Sequence, residues 1–428
     1  MDDKKKLWIA WSFYDWANSA FATSLLAGLL PVYFATMVVP EEGVQIDGAF
    51  FNLHLSGVAI WTYGVSASVL FATLIAPLLG YIADFKGIRK QLFVIVTVVG
   101  CLSSTCLFWA YPGWVWEVIS LFGVAYISFM WSEVLYNSYL LDIAEAKEQD
   151  VLSGLGYALG YAGGGLLLAI HLWILARHSS ELSADRYQII RFCLGSVGIW
   201  WFLFSTPALF ILPRDPVKAG QAKKLQRFHF FPRLKGISKG LIIFLVAFFL
   251  YNNGVQTVIA TASIYGSKQL HLPVYQLMGA VLFTQFVGVP GACVFAWLGK
   301  WLGTKRALVA SLFCWILIVS YAMIMESARE FWVLAGFVGV VIGGTQSLSR
   351  SFFAKMIPAQ ASGYFGFYAI GGKVSAVLGP FIFGMVYEIV GNLRYAVGST
   401  LTFFIVGLIL LTAVPDNAGK NEIISRND

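Results

Sequence analysis

Charged residues are scarce in this sequence. Only 12% of its 428 residues are Asp, Glu, Lys or Arg, whereas an average soluble domain carries about 25%. A water-soluble chain of this length needs many charged side chains at its surface. The shortage excludes, by composition, an ordinary soluble enzyme, a nucleic-acid-binding protein and a disordered protein.

Cysteine is also scarce, and its positions form no pattern. There is no C-x-x-C motif and no Cys/His cluster, so we expect no metal site and no cofactor. We expect the five thiols to pack as small apolar residues inside apolar runs. They are Cys101, Cys106, Cys193, Cys293 and Cys314.

Nucleotide-binding motifs are missing too. The glycine-rich stretch 154–165 lies inside an apolar run with no strand before it, so it predicts helix packing and not a phosphate-binding loop. Without a nucleotide motif, ATP-driven transport is excluded.

Apolar residues are abundant: 58% of the chain is hydrophobic and 16% is aromatic. A helix that crosses a bilayer needs about 20 mostly apolar residues, and twelve such runs are present. We predict an all-α integral membrane protein with twelve transmembrane helices, spans 1 to 12. The runs cover 8–38, 57–82, 91–110, 114–141, 151–175, 189–212, 239–264, 274–298, 306–325, 331–355, 363–389 and 392–414.

One long connector, 213–238, divides the chain into two halves of six spans. We therefore predict an N-terminal bundle at 1–212, a basic cytoplasmic linker at 213–238 and a C-terminal bundle at 239–428. Lys4, Lys5 and Lys6 precede span 1, and no small-residue cleavage site follows. This pattern predicts an uncleaved first span and not a signal peptide.

The distribution of Lys and Arg predicts the orientation. The loop 40–56 contains three acids and no Lys or Arg, whereas the linker 213–238 contains seven basic residues. Positive charge is retained on the cytoplasmic side, so we expect cytoplasmic termini and, in a bacterium, an inner-membrane location. We interpret the linker as a solvated topology signal, with anionic-lipid binding as the alternative. Of the 29 Lys and Arg, those expected outside are Arg177, Arg186, Arg191, Lys268, Arg329 and Arg394, and Lys373 lies within a span.

The two halves repeat one another weakly. The end of span 2, 80–90, matches the end of span 8, 296–306, with Gly87 opposite Gly303, Arg89 opposite Lys305, and Lys90 opposite Arg306. Further matches pair 153–157 with 363–367, and 14–15 with 251–252. Six plus six spans related by such a repeat are typical of the major facilitator fold, with its two six-helix bundles.

The residues Gly80, Asp84, Gly87 and Arg89 resemble the loop signature of the major facilitator superfamily. Gly80 permits close approach of another helix, and Asp84 suits the positive end of a neighbouring helix. The resemblance implies a conformational latch between the bundles that opens on each cycle. We assign Arg350 to the same latch.

A narrower resemblance covers most of the chain. Its motifs lie at 12–23, 31–34, 136–141, 153–164, 344–351, 364–368 and 379–380. They are similar to the vacuolar amino-acid effluxer family, which includes the autophagy-related permeases and bacterial relatives. In fungi the resemblance implies export of amino acids from the vacuole into the cytosol. For bacterial members it implies the fold and the class of activity, and not the solute.

Four ionisable residues lie within predicted spans: Asp15, Glu133, Arg350 and Lys373. Such a group costs a few kcal/mol in a membrane, so each is a functional candidate. At 1.5 Å per residue, Asp15, Glu133 and Lys373 lie roughly 11–15 Å from the cytoplasmic ends of their spans. Arg350 lies roughly 8 Å from the inner surface, where a long side chain can snorkel to the interface.

Helical spacing places further polar residues beside these groups, and the resemblance implies that spans 1, 4, 7 and 10 line a central cavity. The predicted substrate-binding residues are Asp15, Asn18, Glu133, Asn137, Asn252, Gln256, Gln346 and Lys373. Glu133, and then Asp15, are the candidates for proton coupling, because a poorly hydrated carboxyl group can hold a proton.

Structural alternatives remain open for these residues. Asp15, Glu133 and Lys373 can neutralise one another, and the amides Asn137, Asn252 and Gln256 can hold helices together. His171, near the outer end of span 5, fits an interfacial role better than a proton relay.

The predicted function is secondary active transport of a small polar solute, first of all amino acids, by alternating access with possible proton coupling. The alternatives are an exporter of lipids or drug-like amphiphiles and a non-transporting sensor on a transporter fold. A membrane enzyme is disfavoured because the scattered histidines form no catalytic constellation. The expected partners are the solute, protons and the lipid bilayer, without nucleic acid, for a monomeric protein.

Overall fold

Twelve helices long and apolar enough to cross a membrane are present in the described part of the chain, which confirms the predicted architecture. The computed structural model describes residues 3–48, 51–177, 184–214, 238–357 and 362–415. Most of the predicted linker 213–238 lies outside these residues. Spans 1 to 12 are Asp3–Val38, Ala59–Lys86, Arg89–Trp109, Val115–Ile143, Gln149–Arg177, Tyr187–Ile211, Lys239–Gln269, Gln276–Leu302, Thr304–Ala322, Ala328–Met356, Ser362–Val390 and Leu393–Ala413.

Span 1 changes its winding along its length. It is α-helical over Asp3–Ala20, π-helical over Phe21–Leu29, α-helical over Leu30–Tyr33, and π-helical again over Phe34–Val38. Pro31 lacks the N–H that an α-helix needs at that position. The wider π turns explain how 36 residues form a single span, because they rise less per residue than α turns.

A β-hairpin follows span 1 in the loop that the sequence marks as acidic. Strand β1, Val44–Gly48, pairs antiparallel with strand β2, Phe51–Leu55. The His54 ring nitrogen Nε2 bonds the backbone oxygen of Glu42 beside the hairpin. The hairpin lies within residues 40–56, which the sequence predicts only as a loop between spans 1 and 2.

The two glycines matched between the halves both end helices. Gly87 follows span 2 with φ +63°, and Gly303 follows span 8 with φ +91°. Only glycine adopts such values freely. Each therefore permits the tight reversal into the next span, which begins at Arg89 after Gly87 and at Thr304 after Gly303.

One lysine in each half caps the last helix of that half. Lys90 Nζ donates to the backbone oxygens of Ala208 and Leu212, at 2.9 and 2.8 Å. Lys305 Nζ donates to the oxygens of Thr412 and Val414, at 3.1 and 2.5 Å. Cations favour such carbonyl-rich helix ends. The structure thus makes Lys90, and not Arg89, the counterpart of Lys305; the extra residue after Gly87 shifts the match by one.

A tyrosine contact repeats at the opposite end of each half. Tyr33 donates to the oxygen of Ala110 at 2.8 Å, and Tyr265 donates to that of Ala322 at 2.7 Å. Each bond joins the first span of a half to the end of the third. Together with the lysine caps, these bonds give the sequence repeat a structural basis.

The chain forms two compact units. The N-terminal unit comprises Met1–Tyr136 and Leu159–Val217, and the C-terminal unit comprises Asn137–Ala158 and Lys218–Asp428. The second unit therefore includes the end of span 4, the connector after it and the start of span 5. We call residues 137–158 the exchanged segment. We retain 1–212, 213–238 and 239–428 as the proposed division of the sequence into halves and linker.

Aromatic packing forms the core of the N-terminal unit. The ring of Phe21 lies 4.9 Å from Phe129, 6.4 Å from Phe122 and 5.8 Å from Trp201, between ring centroids. All four side chains are fully or almost fully buried. Each aromatic ring buries a large apolar area, so this cluster holds spans 1, 4 and 6 together.

The glycine-rich face of span 5 packs on the backbone of span 1. A Cβ at Gly160 would stand 2.7 Å from Ser19 Oγ, and one at Gly164 would stand 3.0 Å from Ser19 O. Thr23 donates to the backbone oxygen of Gly164 at 3.1 Å. The prediction that these glycines serve packing agrees with this geometry, which is the usual reason for small residues between membrane helices.

Candidate functional site

The N-terminal unit places two predicted site residues in the buried part of span 1. Asp15 is buried and Asn18 lies almost one turn later, also buried. The Asn18 amide nitrogen Nδ2 has no hydrogen-bond partner in the described part of the chain. Glu133 is half-buried in span 4. This unit thus supplies two carboxyl groups and an uncommitted amide donor.

The C-terminal unit brings spans 7 and 11 together at the residues flanking Lys373. Asn252 Nδ2 donates to the backbone oxygen of Gly372 at 3.2 Å. One position on, Asn253 Nδ2 donates to Phe249 O and to Ser375 Oγ. Asn252 therefore holds the backbone next to Lys373 in place, while Lys373 itself is half-buried.

Gln256 and Gln346 are both half-buried. Gln256 lies one turn after Asn252 in span 7, and Gln346 lies one turn before Arg350 in span 10. Each glutamine therefore lies on the same helix face as the residue one turn away, as the sequence spacing predicts.

Arg350 is held inside the C-terminal unit by the exchanged segment. Its Nε donates to Ser153 Oγ at 2.9 Å, Nη2 to Ser153 O at 2.9 Å and Nη1 to Asn137 Oδ1 at 3.0 Å. Its Cζ lies 4.3 Å from the ring centroid of Tyr157. The planar guanidinium suits this combination of directed bonds and stacking.

One sequence expectation changes as a result, and one predicted substrate-binding residue has a contact that the sequence does not show. Arg350 is 2% exposed, so its side chain does not snorkel to the interface; local polar partners satisfy it instead. Asn137, expected beside the substrate, presents its side-chain oxygen to Arg350.

A second polar cluster centres on Asp150, in the first turn of span 5. Its oxygens accept hydrogen bonds from Thr304 at 2.8 and 3.0 Å, from Ser351 at 2.5 Å and from Lys355 at 2.6 Å. Lys355 also donates to Thr304 at 2.5 Å. Asp150 is 2% exposed, so the carboxylate is stabilised by a charged partner, two hydroxyl groups and the positive end of its own helix.

The exchanged segment is therefore bound to spans 9 and 10 through two sets of contacts. Asp150 accepts hydrogen bonds from side chains of both spans, and Ser153 and Asn137 accept hydrogen bonds from Arg350 of span 10. By contrast, the ion pair between Lys147 and Glu145 is at the surface, at 3.0 Å. Glu145 raises the pKa of Lys147 there by a hydrogen bond and by its charge, but an exposed pair adds little stability.

The predicted latch residues of the N-terminal unit lie at the junction of spans 2 and 3. Gly80 is buried, Asp84 is half-buried in the last turn of span 2, and Arg89 is 4% exposed as the first residue of span 3. The structure thus places this motif at the reversal between spans 2 and 3.

Asp150, Thr304, Ser351 and Lys355 are not among the residues predicted from the sequence. Asp150 and Lys355 stand at span ends, where a charged residue is ordinary in a membrane protein. No sequence spacing connects residues about 150 to 200 positions apart. Among the described residues, no group of three or more His, Cys, Asp or Glu side chains is placed to hold a metal ion.

Comparison with known proteins agrees with this architecture. The family described as "Vacuole effluxer Atg22 like" matches residues 2–423. The chain is 28% identical to the uncharacterized MFS-type transporter YxiO of Bacillus subtilis, over 98% of this chain and 97% of that protein. It is 22% identical to autophagy-related protein 22 of Saccharomyces cerevisiae S288c, over 95% of this chain and 89% of that protein.

Solved structures share the fold. The proton:xylose symporter XylE superposes with a TM-score of 0.74 at 13% identity, covering 98% of this chain and 96% of that one. The transporter FucP superposes with a TM-score of 0.66 at 12% identity, covering 97% and 99%. The fold is that of the major facilitator superfamily, whose members carry small molecules across a bilayer and are not enzymes. The chain thus belongs to the Atg22-like family of major facilitator transporters.

Proposed function

We propose that this transporter moves small zwitterionic metabolites, amino acids first, by alternating access. The observation that carries the proposal is that ionisable groups of both signs lie within membrane spans. Asp15 and Glu133 stand in spans 1 and 4, and Lys373 stands in span 11. An amino acid carries one ammonium and one carboxylate, so it is complementary to such a set. Intramembrane charges are otherwise costly.

In this proposal Lys373 binds the substrate carboxylate, and Asp15 or Glu133 binds its ammonium. Arg350 is a second cation, buried within span 10, that could meet the substrate carboxylate. Its three guanidinium nitrogens already donate to Ser153 and Asn137, which favours Lys373.

Amide groups complete the proposed site. The unpartnered Nδ2 of Asn18 supplies a donor near Asp15, and Gln256 and Gln346 supply further polar groups. Asn252 acts by positioning the span 11 backbone next to Lys373. Asn137 acts through Arg350.

Proton coupling is assigned to Glu133, with Asp15 second. Both residues are carboxyl groups within membrane spans, where an ionisable side chain is a functional candidate. The latch of Gly80, Asp84, Gly87 and Arg89, together with Arg350, controls the conformational change. We further propose a monomer with cytoplasmic termini, located in the inner membrane if the source is bacterial. The family description, a vacuole effluxer, supports net movement towards the cytosol.

The test is counterflow of labelled amino acids in proteoliposomes, with the corresponding decarboxylated amines as comparison substrates. Lys373→Ala should weaken amino-acid binding and spare amine binding, because only the carboxylate contact is lost. The matched control is Lys300→Ala, which removes an exposed lysine of span 8. No counterflow with any amino acid, or equal loss of both substrate types with normal stability, would contradict the proposal.

A further inference from the structure

Span 10 carries two buried hydroxyl groups one turn apart. Thr345 is 2% exposed and Ser349 is 1% exposed, and their spacing of four residues places them on one face of the helix. Each hydroxyl proton is used within the helix: Thr345 Oγ1 donates to Val341 O at 2.9 Å, and Ser349 Oγ donates to Thr345 O at 2.6 Å. Both groups can therefore make further hydrogen bonds only as acceptors. We call Thr345 and Ser349 the hydroxyl face.

Two aromatic side chains from different spans donate to the hydroxyl face. Tyr251 OH, in span 7, lies 2.6 Å from Ser349 Oγ, and it is the donor because the Ser349 proton is already engaged. Trp315 Nε1, in span 9, donates to Thr345 Oγ1 at 2.9 Å. Both aromatic residues are buried, so these bonds are not exchanged for bonds to water. Span 10 is thus held by two neighbouring helices at two points one turn apart.

Span 12 packs behind the two donors. The rings of Trp315 and Phe404 are stacked, with 5.4 Å between their centroids and an interplanar angle of 9°. A Cβ at Gly407 would stand 2.9 Å from Tyr251 Cβ, so span 12 lies directly against span 7 at that point. Such close packing keeps core side chains in single rotamers, and the two donors therefore hold fixed directions.

The hydroxyl face determines where the next residues of span 10 point. Successive residues of an α-helix are turned by about 100°. Gln346 follows Thr345 and Arg350 follows Ser349, so both side chains leave the helix about 100° further round than the hydroxyl face. Two contacts on one face oppose rotation of the helix about its axis, and they thereby fix the direction of Gln346.

We propose that Tyr251 is a positioning residue for substrate recognition. Its bond to Ser349 sets the rotation of span 10 and, through it, the place of the Gln346 amide. This inference rests on the proposed substrate role of Gln346; Tyr251 acts through that residue and does not touch the substrate. The next residue, Asn252, holds span 11 beside Lys373, so span 7 aligns the polar residues of two helices at one level.

The test compares two tyrosines of span 7 that each lose only a hydroxyl group. Tyr265 is 2% exposed and donates to Ala322 O at 2.7 Å, so Tyr265→Phe is a matched control for Tyr251→Phe. Both variants should lower the thermal unfolding temperature to a similar extent, because each loses one buried hydrogen bond.

Transport should separate the two variants. Only Tyr251→Phe should raise the amino-acid concentration for half-maximal counterflow in proteoliposomes. We expect an increase of about tenfold, equivalent to one lost hydrogen bond to the substrate. The maximal rate should stay unchanged, because the lost contact contributes to binding.

Variants of the acceptor provide an independent measurement, also where Tyr251→Phe does not fold. Ser349→Ala should reproduce the raised half-maximal concentration. Ser349→Thr keeps a hydroxyl group at the same place and should stay close to the unmodified protein.

A double variant tests whether Tyr251 acts through Gln346. Gln346→Ala alone should raise the half-maximal concentration about tenfold, the equivalent of one hydrogen bond. Adding Tyr251→Phe should raise it no further, because the contact that Tyr251 positions is already lost. Full additivity of the two changes overturns the action through Gln346.

The remaining outcomes separate this inference from the proposed function. Equal half-maximal concentrations for Tyr251→Phe and Tyr265→Phe, in a protein that carries amino acids, overturn the positioning role and leave the proposed function standing. Absence of counterflow by the unmodified protein contradicts the proposed function, and the positioning role falls with it.

Discussion

Arg350 shows how directed hydrogen bonds and stacking hold a cation within a membrane span. Three of its bonds reach Ser153 and Asn137, and its flat face lies on Tyr157. Each bond uses a direction that the guanidinium plane already provides. The residue is thus selected for its shape as well as its charge.

Arg350→Lys should destabilise the protein although the charge is kept. A lysine ammonium cannot reach Ser153 and Asn137 together and does not stack on Tyr157. We expect a loss of about 2 kcal/mol in the free energy of unfolding, measured by denaturant titration in detergent. Arg306→Lys, at an exposed position of span 9, is the control. Equal stability of the two variants would show that the directed bonds are unimportant.

Glu133→Gln should uncouple transport from the proton gradient. The amide cannot lose a proton, so concentrative uptake should disappear while substrate exchange continues. Proteoliposomes with and without an imposed pH gradient provide the measurement. Glu117→Gln, in the exposed first turn of the same helix, should behave as the unmodified protein. A variant Glu133→Gln that still concentrates substrate under a pH gradient removes Glu133 from the coupling role.

At the scale of elements, the exchanged segment 137–158 is the most informative feature. It continues from span 4 and into span 5, yet its side chains bind spans 9 and 10. The Asp150 cluster and the bonds of Arg350 therefore fix this segment to the helices of the C-terminal unit.

A double-mutant cycle on Asp150 and Lys355 should reveal strong coupling. Removing one partner leaves a buried charge, at a cost of about 3 kcal/mol. The variants are Asp150→Asn, Lys355→Met and their combination, and denaturant unfolding is measured for each. The double variant should lose at least about 1 kcal/mol less than the sum of the singles. Lys147→Ala, which removes the exposed pair with Glu145, should have no measurable effect, and additive losses would mean that the buried pair is not coupled.

Asp84→Asn tests the latch at the end of span 2. We expect normal insertion, a changed balance between inward-open and outward-open states, and slower turnover, because the carboxylate charge at the helix reversal is lost. Cysteine accessibility at both membrane faces and transport rate are the readouts. Glu41→Gln, in the exposed loop after span 1, is the control. Unchanged accessibility together with unchanged turnover would remove Asp84 from the latch.

At the scale of the whole molecule, the two halves share structural devices more than they share residues. The lysine caps on spans 6 and 12 and the tyrosine bonds from spans 1 and 7 recur at equivalent places. The repeat therefore recurs at helix ends and helix junctions.

The proposed orientation predicts opposite labelling of two positions. Single cysteines replacing Asp47 in the hairpin and Lys223 in the linker are introduced into a variant that lacks the five native cysteines. An impermeant maleimide applied to intact cells should label the first and not the second. The physical reason is the retention of basic loops on the cytoplasmic side. Labelling of both positions from the same side is incompatible with the proposed topology.

The sequence by itself determined the number of spans, the family resemblance and the match between Gly87 and Gly303. It could do so because a helix in lipid satisfies its own backbone, so that hydropathy and local turn residues are sufficient. It also identified the polar candidates in the spans, including Arg350 and Asn252.

Only the tertiary structure decided what those polar groups contact. Arg350 meets Ser153 nearly 200 residues away, Lys90 and not Arg89 caps span 6, and Asp150 joins Thr304 and Lys355. The π turns of span 1 likewise appear only in the folded chain. A buried polar side chain must find some partner, but many partners satisfy that need, and the packing of distant helices selects among them.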